Sequence, residues 1–274
     1  MRHMTLSMLR PEPGRCPAYD RFHRTYSLLL ATNVVTHHLV HEVPEDHLTE
    51  LLHEVVTASE TDYSRAQGLY AAMGLSFAAP QMREDRGLDL SDVSETLAAG
   101  GSALRIVLAF QNFNEFVLLF ALFEDAVKDL LSPDGGPTVE LRESKVMEDL
   151  LTHLKALGSF GRFKARLADR TVCADYEDAK SLWSYFVALR HLLVHSGGRP
   201  TSKWMADYGE ARDAVSRRLR GPDIGRMDVR EVIEKVEPSE RVLLMLPDGL
   251  VNIFRNFVVG VMEAYYVSLP ARTA

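Results

Sequence analysis

The chain has 274 residues, 46% hydrophobic and 25% charged, the balance of an ordinary globular protein with enough length to bury a sizeable core. Its 31 Lys and Arg against 38 Asp and Glu give a formal charge of −7, so any nucleic-acid partner must be met by a local basic patch. Two cysteines, Cys16 and Cys173, lie far apart without CxxC spacing, which argues against a disulfide framework and against a cysteine-based zinc site.

Residues 1–19 contain Pro11, Pro13, Pro17 and Gly14 and read as irregular, without the apolar run of a signal peptide. Asp20 to Val40 reads as a helix with Asp20 as its N-cap. Pro44 interrupts it, and a second helix restarts with Glu45 and Asp46 beside the positive end of its dipole. Leu48, Leu51, Leu52, Val55 and Val56 recur there at helical spacing. A third helix is expected from Thr61 to Met73, a connection over residues 78–90, and a short helix from Asp92 to Ala99 that stops at Gly100-Gly101.

Ser102 to Leu131 is the longest uninterrupted pattern, about 45 Å if wholly helical. Its second half is apolar all round and predicts a central helix contacted on several sides. Its most apolar run, Phe116 to Phe123, is flanked by Glu115 and Glu124 and falls short of the ~20 residues of a membrane span. The expectation is therefore a cytoplasmic protein without a membrane partner.

Helical segments are expected again over residues 138–157, from Asp175 to His195 and from Ser202 to Arg220. Between the first two lies Gly158 to Arg170, short, basic and aromatic. Residues 229–246 change character: VREVIEKV, the turn-like EPSE and RVLLML predict a small β-hairpin. Asp248 to Leu269 closes the pattern as an amphipathic helix. The expected fold class is mainly α: an N-terminal helical region over 1–85 of unknown role, then a helical bundle over 90–270 with the hairpin before the last helix.

The stretch Leu182 to Arg199 carries the chemistry. It is a mostly apolar helix bearing Arg190, His191 and His195 near its end, and a cation and two imidazoles there are costly to bury without partners. At about 100° per residue, Ser184, Ala188, His191 and His195 share one stripe, while Arg190 sits roughly 120° away and needs another surface. The plain reading is a set of cationic groups complementing the negative end of the helix dipole.

Arg190-His191-Leu192-Leu193-Val194-His195 also resembles the Arg-x4-His motif of the HEPN superfamily (higher eukaryotes and prokaryotes nucleotide-binding). The long helix, LLFALFEDAVKDLL at 118–131 with Phe123-Glu124, looks like that family's first bundle helix. RVLLML before the last helix looks like its RiboL-PSP-like ribonucleases. The resemblance covers about residues 100–268. It implies a metal-independent endoribonuclease with no cofactor, acting as a homodimer that joins two motifs in one cleft. It also implies a role as toxin or phage-defence effector, with an antitoxin or regulatory protein as a further partner.

The chemistry suits these residue types. The RNA 2′-OH must lose a proton as it attacks phosphorus, the 5′-oxygen must gain one, and histidine serves either step near neutral pH. The crowded phosphorus centre needs a fixed cation, and the planar guanidinium fork matches its oxygens. By resemblance, His195 is the acid/base, Arg190 the phosphate clamp, His191 the polar auxiliary, and Glu124 an orienting carboxylate. Tyrosine two residues past the histidine marks a nucleotidylated subtype; here that position is Gly197.

Arg162, Lys164, Arg166 and Arg170, with Phe160 and Phe163, are candidate RNA contacts through phosphates and base stacking, although such charge runs are commonly solvated loops. Arg217, Arg218 and Arg220 are a weaker second patch. His37, His38, His41, His47 and His53 lack the HExxH pattern and a completing carboxylate set, so no metal is expected. Phosphate-loop, dinucleotide and nucleophile-elbow motifs are absent. Two other readings stand beside the nuclease: a catalytically inactive HEPN-like module binding RNA, nucleotide or protein, and a helical interaction protein in which Arg190 and His195 cap a helix.

Overall fold

The structure is a computed structural model that describes residues 8–61, 91–132, 141–195, 198–219, 228–240 and 242–270. All regular structure among the described residues is helical: α1 (Pro17–Glu42), α2 (Glu45–Thr61), α3 (Ser91–Ala98), α4 (Ala103–Leu131), α5 (Val146–Ala156), α6 (Phe160–Arg170), α7 (Tyr176–His195), α8 (Ser202–Arg218), α9 (Val229–Glu234) and α10 (Asp248–Ser268). A single 3-10 turn, Glu143–Lys145, leads into α5. The expected helix from Thr61 to Met73 and the connection over 78–90 lie outside the described residues.

The mainly α expectation is met, but the β-hairpin is not: its first limb is α9. Asp228 accepts the Arg230 and Glu231 amides and so caps a helix. Val229, Ile233 and Val236 bury one face at helical spacing, and Arg230–Glu234 and Glu231–Lys235 pair across one turn. The second limb, residues 242–247, is irregular, and its Leu244 amide bonds to the Gly198 carbonyl instead of to a strand.

Two compact units divide the chain, Met1–Asn33 with Asn112–Ala274, and Val34–Gln111. The boundary differs from one drawn near residue 85, because Tyr19, Phe22 and Tyr26 of α1 belong to the core made by residues after 112. The second unit has its own small core of Leu48, Val93, Leu97, Ala103 and Ile106.

Within the first unit the helix enclosed on all sides is α10, with 16 of its 21 residues buried. The sequence pattern had assigned that place to α4. Phe116, Phe120 and Phe123 of α4 are fully buried, but Leu118 on the same helix is 56% exposed. Phe254 of α10 packs at a tilt against Phe116 (4.5 Å between ring centroids) and Phe186 (4.6 Å), and Trp183 stacks on Phe120 (4.5 Å). By length and composition alone α4 as a whole is long and apolar enough to cross a membrane, which the run Phe116 to Phe123 by itself is not, yet its Phe116, Phe120 and Phe123 are packed in the core.

The motif helix α7 has clear punctuation at both ends. Asp175 accepts the Asp178 amide at 2.9 Å and Asp178 accepts the Ala174 amide at 3.0 Å, a reciprocal cap at its start. Past its end, Gly198 at φ +79° returns its amide to the Leu192 carbonyl at 3.1 Å. A side chain at 198 would also strike Leu243, 2.8 Å from an added Cβ.

Candidate functional site

The site is assembled from α4, the Glu143–Lys145 turn and α7. On α7 the apolar majority, including Leu182, Trp183, Phe186, Leu189, Leu192 and Leu193, is buried, which fixes the rotation of the helix. That rotation leaves Arg190 at the edge of the core, its side chain 18% exposed, and His191 outside it at 51%.

Three groups hold the Arg190 guanidinium. Glu143 on the turn pairs with its Nη1. Glu124 on α4 places Oε2 3.6 Å from its Nη2. The ring of Phe120, one turn before Glu124, lies 4.9 Å from its Cζ, a cation–π contact. The second Glu143 oxygen lies 3.0 Å from His191 Nε2. The surface that Arg190 requires is therefore supplied within the chain, by Glu143.

Glu143 is fixed at its backbone as well, since Trp183 Nε1 donates to its carbonyl at 2.7 Å. The Glu124 carboxyl is pushed above the ordinary carboxylate range by burial, an effect that the nearby Arg190 charge only partly offsets. The cluster thus sets two carboxylates against one guanidinium and one exposed imidazole.

Among the expected site residues, Arg190, His191 and Glu124 come together with Glu143. His195 is the last residue of α7, and its side chain lies outside the described residues. Glu143 was not singled out in the sequence; it stands 47 residues before Arg190, and no local pattern links the two.

The basic stretch is the helix α6. Its aromatic residues do not face out: Phe163 is fully buried in the core and Phe160 packs partly against it, so base stacking by Phe163 is ruled out. Arg166 pairs with Asp169 at 2.5 Å, and Arg170 Nε lies 3.0 Å from the buried Glu263. Arg162 and Lys164 are exposed. In the weaker patch, Arg218 lies 3.9 Å from Asp178, and Arg220 is outside the described residues.

Among the described residues no three His, Cys, Asp or Glu side chains converge as a metal site would require. The His37 and His41 rings lie 4.6 Å apart, while His38 and His47 sit near Glu42 and Glu50. A groove of about 300 Å³, lined by Val236, Pro238, Val242, Leu244 and Met245 among others, contains none of the expected site residues. Comparison of the chain with family models, with curated proteins and with solved structures returns no match in any of the three.

Proposed function

We propose that the chain is a HEPN-type, metal-independent endoribonuclease that uses Arg190 as phosphate clamp and His195 as acid/base, in a cleft shared by two copies in the cytoplasm. The observation that carries this reading is the mounting of Arg190. Its guanidinium is immobilised by Glu124, Glu143 and Phe120 at the rim of the core, beside the exposed His191 and one turn from the end of α7. A pre-positioned cation with the His191 imidazole beside it is the kind of arrangement that RNA transesterification needs. The products would be a 2′,3′-cyclic phosphate and a 5′-hydroxyl. RNA incubated with the protein in EDTA tests it: cleavage should occur, and should be lost in His195→Ala and Arg190→Ala while both variants remain folded at the assay temperature.

One observation favours a second reading, a non-catalytic module. Two carboxylates already face Arg190, and together they leave no net positive charge for a phosphate. On that reading RNA stays intact, and Arg190→Ala changes only the melting temperature.

A further inference from the structure

We propose that the Glu143 carboxylate is a placeholder for an RNA phosphate, seated on Arg190 and His191 and turned out when a phosphodiester binds. The inference rests on reading the Arg190 motif as an RNA contact, and it adds a regulated seat to it.

The two acids on Arg190 are not equivalent. Glu124 belongs to α4, has a side chain only 9% exposed, and reaches Nη2 from the core side with Phe120 beneath the cation. Glu143 stands on a single 3-10 turn, is 28% exposed, and spreads its oxygens over two donors, Arg190 Nη1 and His191 Nε2. Glu124 and Phe120 are thus the fixed mounting, and Glu143 is the removable member.

Two oxygens spread over a guanidinium nitrogen and an imidazole nitrogen is a pattern that the two non-bridging oxygens of a phosphodiester reproduce. A carboxylate in that seat also repels the incoming phosphate. When it leaves, Arg190 keeps one carboxylate partner instead of two, and the phosphate oxygens take its place on Arg190 Nη1 and His191 Nε2. The Trp183 bond to the Glu143 carbonyl keeps the turn backbone in place, so the movement is a side-chain rotation. No bond is made or broken in this step.

The test is the affinity for a fluorescein-labelled 2′-O-methyl oligonucleotide, which binds like RNA but cannot cyclise, at fixed salt. Glu143→Gln should tighten binding about tenfold over the unsubstituted chain. Glu148→Gln, which makes the same charge change on the exposed acid beside Lys145 and Lys180, should not. The gain should vanish in Glu143→Gln with Arg190→Ala. Unchanged or weaker binding in a folded Glu143→Gln overturns the proposal, as does equal tightening by Glu148→Gln. If Glu143→Gln leaves affinity alone and slows cleavage of all-ribose RNA, Glu143 is a positioning residue, and the nuclease reading survives without the placeholder. If binding tightens as expected while all-ribose RNA stays uncut in EDTA, the placeholder stands and the nuclease reading falls.

Discussion

Arg255 and Glu115 form an ion pair in the interior, with side chains 8% and 7% exposed and 140 positions apart in the chain. Arg255 Nε donates to Glu115 Oε1 at 2.7 Å, Nη2 donates to the same oxygen, and Nη1 donates to Asn252. The pair ties α10 to α4 at the level of the aromatic core.

Removing one partner strands a buried charge. Arg255→Met should cost ~3–5 kcal/mol in urea denaturation, whereas Arg255→Met with Glu115→Leu should return to within about 1 kcal/mol of the parent or exceed it. A double variant as unstable as the single one would show that the pair contributes more than its own desolvation.

Tyr19, Phe22 and Tyr26 place the start of α1 in the core of the first unit, and Tyr19 stacks on Tyr266 at 4.3 Å. Truncating one such aromatic to alanine costs ~3–5 kcal/mol, a large part of a typical stability of about 5–15 kcal/mol. Deleting residues 1–33 should therefore abolish the cooperative thermal transition seen by near-ultraviolet circular dichroism. A truncated chain melting sharply at the parent temperature would refute the assignment of α1 to that core.

Gly260 is where α10 touches the end of α6. An added Cβ would lie 2.4 Å from Thr171 Cγ2 and 3.0 Å from the Arg170 carbonyl. Gly260→Ala should cost ~1–3 kcal/mol. Thr171→Ser removes the nearer atom, so the double variant should recover part of that loss in a thermal-melt cycle. Strictly additive effects would mean that the helices separate rather than clash.

His153 lies beside Tyr265, its Nε2 3.1 Å from the phenol oxygen, and burial pushes its pKa below the ordinary 6.5. The folded state therefore binds this proton less readily than the unfolded chain does. The stability that the neutral ring contributes is fully present above about pH 6.5 and declines as pH falls from there towards the folded value. His153→Gln should flatten this part of the melting-temperature profile between about pH 5 and 7. Parallel profiles for parent and variant would remove the assignment.

Much of the helical layout was legible because the punctuation is local. Ser102, Asp175, Gly198 and Pro44 state where helices start or stop through their own backbone chemistry, whereas α1 begins at Pro17, three residues before the expected cap Asp20. The hairpin over 229–246 was misread because β-branched Val229, Val232 and Ile233 outweighed the capping Asp228 and the charge pairs one turn apart. Hydropathy could not separate α4 from α10, because enclosure depends on partners that Glu115 and Arg255 find only in three dimensions. Arg190 and His191 announced themselves as charges within an apolar run. Glu143 did not, since its meaning lies in a contact across 47 residues.

The first unit is made of both ends of the described chain, with Leu9 bonded to Glu263 and Arg15 to the Leu269 carbonyl. During synthesis the early aromatics of α1 must wait until α10 has left the ribosome. For more than two hundred residues Tyr19, Phe22 and Tyr26 have no finished core to enter, so the core cannot be completed before α10 is made.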